Sequence, residues 1–499
     1  MTTSNSTLPS KDDALIEQVL RRPESINFDC KRTGKVDKLL ETAVAFANTE
    51  GGIIAIGVED PDKATGRDRV YGIQMHPNNW DEIQRNLRSR ITEPDQLAWT
   101  HQEIGCTLRD GNHGSIILLK IAKSRRVHSI VDDGTFTRLT KGNKHLTAGE
   151  INDLCHARGV ISAESQTEEI DFELLNTDYW RAYAEKRKLT RPIDQAMFHI
   201  GLARKDSTGQ LRPTRAAVLL FAEEPTGVLG GKTAVRIFHY KGTEISTDPN
   251  TNLAKQPINI VGPLARQIVD ARQALINELA GRVQFGPLGF EIVQRYPVRV
   301  IVEAITNAVI HRDYRLNSDI IVRIFSDRIE IESPGLLVGP VTVANIGRIG
   351  THSRNPLIVQ HLREFPNPPN LDAGEGVRMM IGTMRESGLY PPLYLTRPRI
   401  EREAVVTILR NQNRPSVWQQ VVDYVSKNSD IGNAELRHLL NTNDTLGASK
   451  QLKAWVEQGL LIVVNPDAGR NVRRYTLPDI DLDFDDSFLS NPDGKAGSP

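Results

Sequence analysis

The chain has 499 residues, a length that fits about three domains of ordinary size. It is 39% hydrophobic and 25% charged, an ordinary globular composition, and no apolar run approaches the roughly 20 residues of a membrane span. Lys+Arg and Asp+Glu each total 62, so the net charge is zero; this excludes capture of nucleic acid by overall charge, and any such surface must be a local patch.

The three cysteines, Cys30, Cys106 and Cys155, lie far apart with no C-x-x-C, which argues against a zinc site or a disulfide framework and predicts a reducing, cytoplasmic location. The polar opening MTTSNSTLPSKDD has no apolar signal core, and residues 1–12 are expected to be a disordered leader. A helix is predicted over Asp13–Leu20, ended by Pro23. ESINFDCKRTG, Glu24 to Gly34, alternates polar and apolar like a strand, with Asn27, Asp29 and Lys31 on one face and Phe28 and Cys30 on the other. VDKLLETAVAFAN (Val36–Asn48) has helical apolar spacing, Thr49–Gly52 is a turn, and IIAIGV (Ile53–Val58) is a short apolar strand ending on Glu59-Asp60.

Glu24, Asp29 and Asp60, with Lys31 beside them, are thus acids at one strand's start and middle and at another strand's end. Three carboxylates can hold one or two divalent cations for phosphodiester hydrolysis, a lysine steadying the phosphate. Solvated surface charge is the competing reading, because most acidic side chains are exposed.

E-x4-D-x-K at Glu24–Lys31, then AFANTEGGIIAIGVED (Ala45–Asp60) and Gly72, resembles the AlbA-like domain shared with Schlafen proteins. RVHSIVDDGTFTRLTKGN (Arg126–Asn143) resembles that domain's closing hairpin, and the domain is placed at residues 13–155. The resemblance implies nucleic-acid binding. Some Schlafens are endoribonucleases that use two Glu and one Asp, which implies a metal-dependent nuclease site (Mg2+ or Mn2+) at Glu24, Asp29 and Asp60, with Lys31. Asp29 stands where that pattern has Glu, one methylene longer, and many bacterial relatives are regulators instead.

Residues 156–190 read as a connector with a helix over Asp178–Leu189. AVLLFAEEP (Ala217–Pro225) and KTAVRIFHYKG (Lys232–Gly242) read as strands, with Arg236 a structural charge. A helix is predicted over Ile260–Leu279, packing Val261, Leu264, Ile268, Ala271 and Leu275. EAITNAVIHRDY (Glu303–Tyr314) puts Glu303, Asn307 and His311 at i, i+4 and i+8, along one side of a helix. DRIEIESPG (Asp327–Gly335), SRNP (Ser353–Pro356) and DAGEG (Asp372–Gly376) follow. A carboxylate and an amide on one helix, followed by glycine loops that let backbone approach phosphates, suggest a nucleotide–magnesium site.

These motifs in this order resemble a divergent GHKL-type ATPase domain, of the kind named for the C-terminal part of the helicase RecG, over residues 191–410. The resemblance implies that Glu303 orients the attacking water and Asn307 binds magnesium. His311, Arg312 and Asp313 fall on the nucleotide side, Pro334-Gly335 forms the first glycine box, and Gly374 and Gly376 form the lid over the phosphates. Ser333 stands where the family has an adenine-reading Asp, and Asp372 reads as the acid preceding the lid. There is no Walker A motif, so no helicase motor is implied.

Beyond the linker RNQNRPS (Arg410–Ser416), three amphipathic helices and a hairpin are predicted over residues 417–478, the layout of a winged helix. Its third helix would offer Ser449, Lys450 and Lys453 to a DNA major groove, with Arg470, Arg473 and Arg474 on the wing; use for protein contacts is the alternative. Residues 479–499 read as an acidic disordered tail.

The expected fold is α+β and multidomain: an AlbA-like α/β domain, a GHKL-type α/β sandwich and a C-terminal winged helix. The expected function is that of an ATP- and nucleic-acid-binding regulator of transcription, since a winged helix suits DNA, whose nucleotide state alters domain arrangement. The alternative is an ATP-gated nuclease acting on RNA or tRNA. A homodimer is the default expectation, as in GHKL relatives.

Overall fold

The computed structural model describes residues 11–248, 252–286, 289–294, 296–350, 352–369, 376–397, 399–412, 417–466, 469 and 472–478. The expectations for the first ten residues, Asp372, Gly374, Arg470 and the acidic tail lie outside the described residues.

A four-stranded sheet near the N-terminus runs in the order Phe28–Lys31, Gly52–Ile56, His113–Ile121, Trp99–Thr107, with the first pair parallel and the others antiparallel. Both faces are covered, which is why its central strand reads as an unbroken apolar run. Ile54, Ile56, Ile117 and Leu119 pack with helices Val36–Ala47 and Pro77–Ser89. Phe28, Cys30, Ile53 and Leu118 pack on the other face with Ile16 and Val19 of helix Lys11–Arg21. The Gly51-Gly52 turn has no alternative residues: Gly51 sits at φ +77°, and a Cβ on Gly52 would lie 2.7 Å from the Asn27 carbonyl. Asn48 donates to the carbonyls of His128 and Phe136 at 2.7 and 2.9 Å, so the helix end holds the hairpin Phe136–Arg138/Asn143–His145.

The central six-stranded sheet runs Ile258–Ile260, Val235–His239, Ile320–Ile324, Arg328–Pro334, Ala404–Arg410, Leu393–Leu395. Helices Leu264–Glu278, Val298–Ile310 and Gly376–Glu386 pack beside one another over it. Helix Val298–Ile310 buries Val300, Ile301, Ala304, Ile305, Ala308 and Val309, leaving Glu303 and Asn307 on its partly open side.

Two expectations fail here. Residues 217–225 do not form a strand: Arg215–Phe221 is a helix, started by Thr214, whose hydroxyl accepts from the Ala217 amide at 3.3 Å. Residues Ala216–Phe221 are all buried, so no face shows the polar pattern that separates a helix from a strand. The helix expected from Ile260 begins at Leu264 after Pro263, and Val261 is 37% exposed rather than core.

Helices Trp418–Asn428, Asn433–Leu440 and Thr445–Glu457 share a separate core around Trp418, Val421, Leu436, Leu452 and Trp455. They are followed by the short antiparallel pair Ile462–Val463/Tyr475–Thr476. The Trp455 indole donates to the Tyr390 hydroxyl at 3.0 Å, and Arg410 donates to the Gln458 carbonyl, which ties this unit to the central sheet. Among the described residues no helix is long and apolar enough to cross a membrane.

Candidate functional site

A cavity of about 490 Å³ opens between helix Val298–Ile310, the strands behind it and the loop that follows Gly335. That volume suits a small-molecule ligand. Glu303, Asn307, His311, Ser333, Gly335 and Gly376 line it, so motifs spread over seventy residues of sequence meet at one wall. The Asn307 amide donates to Glu303 Oε1 at 3.0 Å, which leaves the amide oxygen as the group able to ligate a cation. A Cβ at Gly376 would collide with the Glu303 carboxylate, so helix Gly376–Glu386 begins against that acid and needs glycine there. Gly335, at φ +112°, turns the chain over Asp313.

The cavity is chemically two-sided. Ile331, Val338, Val341, Met380 and Val405 give it an apolar wall, while Arg272, Arg299 and Arg378 bring cations to a lining in which, among the described residues, Glu303 is the acid. An apolar wall with guanidinium groups fits a base and a polyphosphate, and Asn307 with Glu303 would hold magnesium and a water. Burial pulls His311 down to about 4, so its imidazole is neutral. Ser333 donates its hydroxyl to the Ala308 carbonyl at 2.7 Å, which ties strand Arg328–Pro334 to helix Val298–Ile310.

Arg312 and Asp313 do not face this cavity, because the helix ends at Ile310 and the chain turns away. Arg312 is buried against the carbonyls of Lys232 and Ser318. Asp313 accepts from Arg315 at 2.8 Å and from Arg354 at 3.3 Å, and these neighbours hold its carboxyl below the usual range against the cost of burial. Pro334 likewise lies outside the lining and accepts from the Asp313 amide at 2.8 Å. In the SRNP segment, Asn355 donates to the carbonyls of Ile310 and Arg312, closing off the helix end.

The loop from Leu336 to Gly350 is both cavity wall and docking surface for the N-terminal sheet unit. Leu337, Val338, Val341 and Ile346 face the cavity. Lys123 donates to the carbonyls of Val341 at 2.8 Å and Leu337 at 3.3 Å and pairs with Glu50 at 3.0 Å. Arg158 donates to Gly339 on the loop and to Ser124 and Thr49 on the sheet unit. Arg354, itself in the cavity lining, reaches the Leu336 carbonyl at 2.5 Å and that of His156 at 3.2 Å. Burial pulls the Lys123 ammonium down to about 8 while Glu50 opposes the shift. Sequence reading missed Lys123, Arg158 and Arg272, because no motif marks them.

The second acidic cluster is organised differently. Asp29 is fully buried, paired with Lys31 at 2.5 Å and Arg138 at 3.3 Å, and accepts from Thr42 at 3.2 Å. Arg138 also donates to the Ser25 carbonyl and to Asn143, so it pins the hairpin to the first strand. Glu24 accepts from the Cys30 amide at 3.3 Å and is pushed up to about 7, chiefly by burial and then by hydrogen bonding and charge from Asp29. Asp60 caps its own turn, accepting from the Asp62 amide at 2.9 Å. Among the described residues no group of three His, Cys, Asp or Glu is arranged to hold a metal ion. Lys31, Arg138 and Thr42 all meet Asp29 Oδ2, while Asp29 Oδ1 is buried with no hydrogen-bond partner among the described residues.

In the C-terminal unit Lys450 is exposed. Ser449 accepts from Asn433 at 2.8 Å, and Lys453 pairs with Glu457 at 3.1 Å. Arg474 bonds Asp430 and Glu435 at 2.7 and 2.8 Å, holding the hairpin to the helices, and Arg473 lies just before it.

Residues 24–147 match a family model described as Schlafen, AlbA_2, and residues 317–406 match one described as putative ATP-dependent DNA helicase recG C-terminal. The second match starts after His311 and takes in Ser333, Gly335 and Gly376 but not Glu303 or Asn307. No curated protein matches the chain. A solved structure, the DIP2311 protein from Corynebacterium diphtheriae, is similar at 17% identity over 93% of this chain and 96% of its own, with a TM-score of 0.39.

Proposed function

From a chain that carries a Schlafen AlbA-like domain and a RecG C-terminal-type ATPase-like domain, we propose a regulator that binds nucleic acid and responds to ATP and magnesium. The observation that carries this reading is the shared loop: residues 336–350 wall the cavity, and their carbonyls anchor Lys123 and Arg158. A ligand against Val338 or Val341 cannot move that wall without moving the surface on which the AlbA-like domain rests. Nucleotide occupancy thereby changes domain arrangement. The three C-terminal helices and hairpin act as a winged helix, with Lys450 toward nucleic acid.

The pairing of Asp29 Oδ2 with Lys31 and Arg138 favours binding over cleavage, since two cations beside that carboxylate oppose the approach of a third. The test uses labelled tRNA and duplex DNA with magnesium or manganese, with and without ATP. Binding whose affinity changes with ATP, without cleavage, supports the regulator. Cleavage that disappears in Asp60→Ala overturns it in favour of the ATP-gated nuclease.

A further inference from the structure

Helix Pro77–Ser89 and strand Trp99–Thr107, at the edge of the N-terminal sheet, bring together side chains that no motif marks. The Arg88 guanidinium lies 5.8 Å over the Trp99 ring. Trp99 and His101 are 6.1 Å apart between ring centroids, and His101 and Trp80 are 5.0 Å apart. The result is one row: guanidinium, indole, imidazole, indole. Trp99 and His101 are alternate residues of one strand and share its face, while Trp80 and Arg88, eight positions apart, fall along one side of the helix. Both tryptophans are partly buried against the core around Val44, Ile54 and Leu87, which holds them in place. His101 and Arg88 are exposed, as is Arg85 one turn earlier, and neither arginine is ion-paired to an acid among the described residues.

Core packing accounts for the inner faces of the two indoles. It accounts neither for the exposed imidazole between them nor for the unpaired guanidinium at the end of the row. Ring faces held rigid by a core and flanked by available cations are what single-stranded nucleic acid requires, since a base stacks on a ring while its phosphate meets a guanidinium. A duplex cannot use such a row, because its bases are already stacked on one another. We propose that this row is a stacking platform for single-stranded DNA or RNA on the AlbA-like domain. His101 takes a base, and Arg85 and Arg88 take backbone phosphates. This rests on the nucleic-acid reading above and gives it a surface and a strand state, on a different unit from Lys450.

The test titrates fluorescein-labelled single strands of about 16 nucleotides, DNA and RNA, and the matching duplexes into the full chain. Wild type is expected to bind at least one kind of single strand. His101→Ala is expected to lose about fivefold to a hundredfold in single-strand affinity, while duplex affinity changes by no more than about threefold. His101→Tyr, which keeps a ring, is expected to stay within about threefold of wild type. Arg88→Gln is expected to reduce the slope of log affinity against log salt by about 0.7 on single strands. Unchanged single-strand affinity in His101→Ala, or equal losses for single strand and duplex, overturns the platform. If melting shows His101→Ala unfolded, the salt slope of Arg88→Gln decides, and an unchanged slope overturns it. Wild type that binds no nucleic acid overturns the nucleic-acid reading itself; wild type that binds duplex alone overturns only the platform.

Discussion

The two acidic regions of this molecule, at Glu24–Asp60 and at Glu303–Gly376, are built from the same residue types but differ in what is left for a ligand. In the first, Asp29 is fully buried with its Oδ2 held by Lys31 and Arg138, and Asp60 accepts within its own turn. In the second, Glu303 accepts from the Asn307 amide, and both side chains line the cavity. A site depends less on which charges a motif contains than on whether the fold has already paired them.

The contrast is broken most directly at Asp29. Asp29→Ala leaves Arg138 buried without its acid and is expected to cost about 3–5 kcal/mol, read from denaturant unfolding. A carboxylate poised for a metal would behave oppositely, because its removal relieves repulsion; unchanged or increased stability would sink the structural assignment. In the cavity, Asn307→Ala is expected to weaken magnesium-dependent nucleotide binding roughly a hundredfold or more, with little change in melting temperature. Affinity retained in that variant would remove Asn307 from the site.

The link between the regions is tested at Lys123. Lys123→Met strands the Val341 and Leu337 carbonyls and should cost about 1–3 kcal/mol. It should also abolish any ATP dependence of nucleic-acid affinity, and persistence of that dependence would locate the coupling elsewhere. The smallest effect belongs to Glu24. Its carboxyl is raised from 4.5 to about 7, so the folded state keeps a proton that the unfolded chain releases earlier. Wild-type stability should therefore fall relative to Glu24→Gln as pH rises from 4.5 to about 7, and level off above it. Glu24 is half-buried, so the difference is small, and parallel melting curves across that window would falsify the assignment.

Where spacing is local, the residues could be read directly. The helical period put Glu303 and Asn307 on one side of one helix, and the Gly51-Gly52 turn followed from its neighbours. HRDY shows the limit of such reading. His311 lines the cavity, but Arg312 and Asp313, the next residues along, face structural partners because the helix has ended. The Ala216–Phe221 run was unreadable for a related reason: burial on every side erases the period.

The sequence by itself determined the order of motifs, the face that carries Glu303 and Asn307, and the short apolar strand beside the Glu-Gly-Gly turn. These depend on backbone geometry over a few residues, which neighbouring side chains set. Only the tertiary structure decided which charges are free. Asp29 meets Arg138 across 109 positions, Lys123 meets Val341 across 218, and Arg158 meets Gly339 across 181. Pairing over such distances depends on how packed elements bring side chains together in a medium where an unpaired charge is costly, and no local spacing encodes that.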